Sequence, residues 1–333
     1  MNSKAPIYPR QFVSLCYHYV RPQVADPYPR LLGARRDDFL AQVRFLREMF
    51  PIVAPQEIGL DAGGRTFDER CGLLFTFDDG LSDHLTAGEI LAEEGVSGLF
   101  FIPTCILVDG LPANPIIIHY GTALYGVNRF LNAYREALEE SRLPVERYDV
   151  PYQQGSADPW VAIRRIKQRT KYDLGYQNAR AVLVHVYREL LRANNQDILS
   201  EMHLDAAGVD RLLAMGHGIG AHSHTHLSVA ASDLQDDAFE AEIIRPRRYL
   251  EERFGVRVPS MSYPFGGQDD CFNEDELRPG ESGYEFAFTV ERKVNTALTS
   301  PFALGRYMPV STDSTESIAA MLARMIAAGG VPI

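Results

Sequence analysis

The segment Gly72-Leu73-Leu74-Phe75-Thr76-Phe77 runs straight into two adjacent carboxylates and a glycine, Asp78-Asp79-Gly80. A short apolar run that stops at a turn reads as a buried strand of a mainly parallel sheet. Charged groups at the mouth of such a strand cost free energy unless something binds them. In α/β folds the carboxyl ends of strands are where ligands and chemistry sit. The bland alternative is a turn at Asp79-Gly80 with Asp78 capping the next helix.

The rest of the chain repeats this rhythm. Phe12 to Val20 reads as a first strand and Asp37 to Met49 as a helix with Phe39, Val43 and Leu46 at helical spacing. Ile52-Val53-Ala54 reads as a short strand and Gly63-Gly64 as a turn. Thr86 to Glu94 is a helix ended by Gly95, and Gly98 to Pro103 is another buried strand. Such alternation marks parallel βαβ units. From about Asn114 to Glu201 no strand signal interrupts three helical stretches: Gly126 to Ser141, Trp160 to Tyr172 and Gln177 to Asn194. Alternation then resumes. A helix capped by Asp205 leads to His217-Gly218-Ile219-Gly220-Ala221, and a long helix spans Asp236 to Phe254. Strands follow at Val258 to Tyr263 and Phe286 to Val290, with a closing helix from Thr315 to Ala328. The expected division is residues 1–113 and 202–333 as two parts of one barrel, with 114–201 as a helical insertion.

At 333 residues the chain has room for one α/β barrel plus that insertion, and 46% hydrophobic residues supply a core. A net charge of −11 without basic blocks argues against nucleic acid or an anionic membrane surface as partner. No apolar run reaches the roughly 18 residues of a membrane span, and Met1 to Arg10 has no signal-peptide pattern, so a cytoplasmic protein is expected. Cys16, Cys71, Cys105 and Cys271 form no CxxC pair and read as reduced, mainly core residues.

The second chemical feature is His222-Ser223-His224-Thr225-His226, three of the nine histidines within five residues at a strand end. His222 and His226 could close on one ion if the segment turns; along a strand all three would share a face. Imidazole suits zinc, and a carboxylate is a common third ligand in an open catalytic site. Asp78-Asp79 would then supply one ligand and one free general base, since successive side chains point to different sides. His224 is expected beside the ion and not on it. Asp83 and His84 are expected to open a helix as caps, His119 and His203 to belong to the insertion and a loop, and Trp160 and Tyr152 to pack, with a cleft-lining role as the alternative.

Thr76-Phe77-Asp78-Asp79-Gly80 together with His222-Ser223-His224-Thr225-His226 resembles the polysaccharide deacetylases of carbohydrate esterase family 4. Ser262-Tyr263-Pro264-Phe265-Gly266 is similar to their third motif, and Leu15-Cys16-Tyr17-His18 to the early histidine element of the circularly permuted branch that includes poly-N-acetylglucosamine deacetylases. The resemblance implies a distorted (β/α)7-type barrel and metal-dependent removal of an acetyl group from an N-acetylated amino sugar. It implies Asp78 as general base, His18 as acid to the leaving amine, and Asp79, His222 and His226 as ligands of a divalent metal, most naturally zinc. The backbone N–H of Phe265 would join in holding the oxyanion. An arginine that orients the base in many relatives is replaced by Ser262. Arg306, in Ala303-Leu304-Gly305-Arg306-Tyr307, resembles the element that supplies this arginine in another branch and is expected to pair with Asp78; an ordinary surface arginine is the alternative. Hydrolysis of another amide, such as a formamide or cyclic ureide, or a non-catalytic sugar-binding role are the competing functions. The expected substrate is an intracellular amino sugar that is nucleotide-linked, lipid-linked or small. The insertion is expected either to overhang the site or to form a homo-oligomer interface.

Overall fold

The computed structural model describes residues 8–9, 11–58, 67–68, 70–152, 155, 158–192, 198–329 and 331–332. Five parallel strands form the centre of the main sheet: β1 (Gln11–Tyr17), β2 (Gly72–Phe77), β3 (Gly98–Ile102), β4 (Gly218–Ala221) and β5 (Ser260–Ser262). They lie side by side in chain order, and β6 (Phe286–Phe288) extends the sheet beyond β5. Two short strands that the sequence pattern did not announce, β7 (Asn295–Thr296) and β8 (Arg306–Tyr307), both pair with β1. Leu304 also bridges Phe288, so the segment 304–307 touches both edges and curls the sheet into a distorted barrel.

Alternation along β2 sorts its side chains. Leu73, Phe75 and Phe77 face the helices and are fully buried, and Phe77 stacks on Phe100 with ring centroids 4.5 Å apart. Each such side chain contributes about 1.5–3 kcal/mol by leaving water. Leu74 packs on the other face with Leu99, Phe101, Phe288 and Leu304, inside the barrel. The next residues in that inward row are Thr76 and Asp78. Helix α1 (Arg36–Met49) buries Phe39, Val43 and Leu46 on the outer face, where the closing helix also docks. Helix α2 (His84–Glu93) follows the carboxylates and packs Ala87, Ile90 and Leu91 inward.

The insertion has its own apolar core. Helix α3 (Asn114–Glu140) starts at Pro115 in its first turn, earlier than its Gly126-to-Ser141 signal, and breaks at Gly126, whose φ of 77° and ψ of 164° interrupt the helical path. Only glycine reaches that conformation without strain. α3 packs with α4 (Pro159–Gln168) and α5 (Tyr176–Val186), burying Ile117, Phe130, Tyr134, Ile166, Leu183 and Tyr187. A π-helical turn, Arg169–Asp173, continues α4. Leu81, Cys105 and Ile106 from the barrel join this core, which seats the insertion on the strand ends.

Beyond the insertion lie α6 (Ala206–Ala214), α7 (Arg245–Phe254) and α8 (Thr315–Ala328). The Asp205 carboxylate accepts the Gly208 N–H at 2.7 Å, so the expected cap is present. α7 continues a helical run that begins at Asp236 and passes through the π turn Glu240–Ile244. Ile52 forms only an isolated bridge to Leu73, because Pro51 and Pro55 leave no room for a strand there. Gly63-Gly64 lies outside the described residues. No helix among the described residues is long and apolar enough to cross a membrane.

Candidate active site

Four of the five central strands end on one edge and deliver the candidate site residues there. His18 follows β1, Asp78-Asp79 follow β2, His222 follows β4, and Tyr263-Pro264-Phe265 follow β5. The backbone turns sharply at this edge. Asp79, His226 and Phe265 have φ of 78°, 63° and 66°, a region that residues with a Cβ occupy only when the surroundings enforce it. Gly80 completes the first turn with φ of 56°, and a Cβ there would meet Ile102 at 3.3 Å.

These turns bring Asp79, His222 and His226 together. Their ligand atoms lie within 4.8 Å of one another, and all three side chains are buried. Asp79 Oδ1 is 3.0 Å from His226 Nε2 and 3.4 Å from His222 Nε2, yet no donor meets it in bonding geometry. A buried carboxylate oxygen left without a donor is costly, and one oxygen plus two imidazole nitrogens aimed at one point is a donor set that fits a divalent ion. His222 Nδ1 is 2.8 Å from the Ser262 carbonyl, which takes the ring proton and leaves Nε2 as the free lone pair. Burial opposes the charge on Asp79, but His226, His222 and His18 outweigh it and hold the carboxyl well below the usual range. Burial lowers both imidazoles; the carboxylates of Asp78 and Asp79 tip His222 upward, while His226 stays low.

Asp78 has a different environment. Arg306, fully buried, grips it through two bonds of 2.7 Å, Nη1 to Oδ1 and Nη2 to Oδ2. The guanidinium is itself held by the Thr289 carbonyl at 2.8 Å and by Ser262 Oγ at 2.7 Å. Ser262 in turn donates to Asp78 Oδ2 at 3.0 Å, so the serine at the missing-arginine position is a bridge to an arginine from another strand. Burial pushes the Asp78 carboxyl up, but Arg306 and His222 overcome it and hold it well below the ordinary carboxylate range. Asp78 therefore stays ionised.

His18 is half-buried, its Nε2 4.0 Å from Asp79 Oδ2 and its Nδ1 4.0 Å from Cys16 Sγ. Cys16, His18 and Asp78 also lie close enough to suggest a second ion. The donor set does not fit one: burial raises the Cys16 thiol, which donates to Asp78 at 3.5 Å, and Asp78 already belongs to Arg306. Phe265 packs its ring edge-on against His226, centroids 4.7 Å apart.

Several supporting residues differ from the sequence-based expectation. His84 is not a cap. It is buried, pushed down to about 3 by its burial, and its Nε2 lies 3.2 Å from the His18 carbonyl, which it anchors. Asp83 occupies the cap position without capping, because Arg21 Nη1 claims its carboxylate at 3.0 Å. His203 is not a loop bystander: its Nδ1 reaches the Asp79 and Gly80 carbonyls at 3.2 and 3.3 Å and fixes the turn of the carboxylate pair. His224 turns to Thr104 Oγ1 and Asp109, 2.9 and 3.0 Å away, and stands outside the three-residue cluster. Glu242, absent from the sequence-based candidates, accepts from the Thr225 N–H and hydroxyl at 2.9 Å each and so clamps the histidine loop. Its only sequence signal is an acid close to Phe239 and Ile243 in the helical run.

The insertion borders this edge. Lys171, from the turn after α4, lies 4.2 Å above the Phe265 ring and 2.5 Å from Asp270, and Lys167 shares a narrow crevice with His226 and Phe265. Trp160 and Tyr152 line a larger cavity of about 700 Å³ beside it, together with Tyr19, the residue after His18.

A polysaccharide deacetylase family model matches residues 185–278, which include the histidine cluster and the Tyr263-to-Gly266 turn. No curated protein gives a match. Among solved structures, the chain is similar to the deacetylase PplD of Streptococcus pyogenes, with a TM-score of 0.57 at 14% identity over 94% of this chain and 98% of that one. IcaB from Ammonifex degensii gives a TM-score of 0.51 at 17% identity, covering 95% of this chain and 98% of that one. A de-N-acetylase from Aggregatibacter actinomycetemcomitans gives 0.53 at 14% identity, covering 93% and 99%. These likenesses establish a common fold.

Proposed function

From the polysaccharide deacetylase domain and fold that this chain carries, we propose that it hydrolyses the acetamide of an N-acetylated amino sugar to a free amine and acetate. The observation that carries this reading is the division of the adjacent carboxylates: Asp79 turned to two imidazoles, Asp78 clamped by Arg306.

Asp79, His222 and His226 would hold a divalent metal, with zinc the best match to one carboxylate and two imidazoles. When bound, such an ion supplies Lewis acidity that polarises the amide carbonyl and acidifies water. Asp78 takes the proton from the attacking water. The Arg306 clamp makes it a weak base but fixes its orientation and keeps it charged. His18, at the open side of the cluster, delivers a proton to the departing nitrogen. The Phe265 peptide, in its left-handed turn beside His226, would present its N–H to the developing oxyanion.

The test is product analysis on matched N-acetyl, N-formyl and cyclic-ureide substrates with the chelated and the zinc-reconstituted protein. The reading expects acetate, lost on chelation and restored by zinc or cobalt. Formate or ring-opened product as the dominant outcome would assign the site to another amide, and metal-independent turnover would refute the ligand roles.

A further inference from the structure

The cavity of about 700 Å³ beside the metal cluster has a wall that the proposed chemistry does not use. Its volume is that of a small-molecule site. Its surface is aromatic, with Tyr19, Tyr125, Tyr152 and Trp160, and its charged groups are Arg30 and Lys167; no carboxylate lines it among the described residues. In a chain of net charge −11, a cavity lined by two cations and, among the described residues, no acid goes against the overall composition.

Neither cation forms a direct ion pair with an acid among the described residues. Lys167 Nζ donates at 2.7 Å to His119 Nε2, and His119 Nδ1 lies 3.2 Å from the Tyr19 hydroxyl. With Nε2 accepting, Nδ1 carries the ring proton and donates to Tyr19. Burial and the Lys167 charge hold His119 well below its ordinary range, so the lysine is paired with a neutral ring. Burial also lowers Lys167, with the Asp79 carboxylate opposing it. Arg30 is exposed and, among the described residues, donates to the Ala123 carbonyl at 3.2 Å. A half-buried ammonium with no acid in bonding contact among the described residues, facing a cavity, gains most from an anion that enters it. Lys167 also borders the crevice that holds His226 and Phe265, so a group bound to it sits next to the reaction centre.

We propose that this cavity is a subsite for an oxyanion, a phosphate or carboxylate carried by the amino-sugar substrate, with Lys167 and Arg30 reading the charge and the aromatic wall packing on the attached ring. This rests on the amino-sugar reading above and narrows its substrate class to anionic sugars.

The test separates the two claims by measuring binding apart from turnover. Calorimetry on zinc-loaded Asp78→Asn protein would compare N-acetylglucosamine with its 1-phosphate, with the uridine-diphosphate-linked form and with N-acetylmuramic acid. The subsite predicts that at least one anionic sugar binds about tenfold or more tighter than the neutral one. That ratio should collapse in Lys167→Met, shrink in Arg30→Ala and persist in Lys167→Arg. The phosphate and carboxylate arms identify which anion is preferred. Equal or undetectable binding of charged and neutral sugars, or a ratio unchanged in Lys167→Met and Arg30→Ala, would overturn the proposal. Failure of the wild-type enzyme to release acetate from any of them would instead count against the deacetylase reading.

Discussion

The strand ends and the insertion wall meet at one place and are built on opposite principles. At the strand ends, the cluster atom Asp79 Oδ1 apart, the groups that set the geometry are tied to protein partners: Asp78 by Arg306 and Ser262, His222 by the Ser262 carbonyl, the Asp79 turn by His203, and the histidine loop by Glu242. On the insertion side the cations face open volume, with Lys167 on a neutral histidine and Arg30, among the described residues, on the Ala123 carbonyl. A preorganised centre needs groups whose positions do not change during reaction, whereas a recognition surface needs groups whose partners arrive with the ligand. The first region bears on the proposed reaction and the second on the proposed substrate.

The largest effect that could break this contrast is loss of the proposed acid. His18→Ala is expected to lower kcat by about 10²–10⁴-fold while metal content stays unchanged; steady-state kinetics with metal analysis would show it. Next comes the clamp. Arg306→Met leaves the buried Asp78 charge without its partner and should destabilise the fold by about 3–5 kcal/mol, read from urea unfolding. A drop below about 1 kcal/mol would mean that Asp78 is solvated. Glu242→Ala, which frees the histidine loop without touching a ligand, should weaken zinc binding by about 10–100-fold in a competition titration. The smallest effect is on acid stability. The Asp78 carboxyl is depressed in the folded protein, so below about pH 4 the unfolded chain binds a proton that the native one does not. Stability of the metal-free protein should be complete above that pH and fall as the pH drops. In Asp78→Asn this limb of the unfolding profile should be shallower.

Sequence legibility follows the same boundary. The barrel strands, the turn of Asp78-Asp79 and the histidine pair were readable because each belongs to an apolar run or to the short polar motif that ends one. Arg306 was readable only through resemblance; its strand is two residues long, and nothing local marks it as buried. The anchoring roles of His84 and His203 were invisible for a related reason. Each bonds to a carbonyl 66 or more positions away, and such pairings have no periodicity. Glu242 sits in a helical run that carries several other acids, and nothing local singles it out. The helices of the insertion were legible, but its cavity was not, because Tyr19, Arg30, Tyr125 and Lys167 come from separate segments that only packing brings together.

The division of labour between two consecutive carboxylates is the central claim, and paired variants test it most directly. Metal content and acetate release would be measured side by side for Asp78→Asn and Asp79→Ala on an N-acetyl amino sugar that the wild type turns over. Asp78→Asn should retain zinc and release no acetate, and Asp79→Ala should lose both. An active Asp78→Asn protein, or an Asp79→Ala protein that still holds its metal at wild-type affinity, would contradict the account.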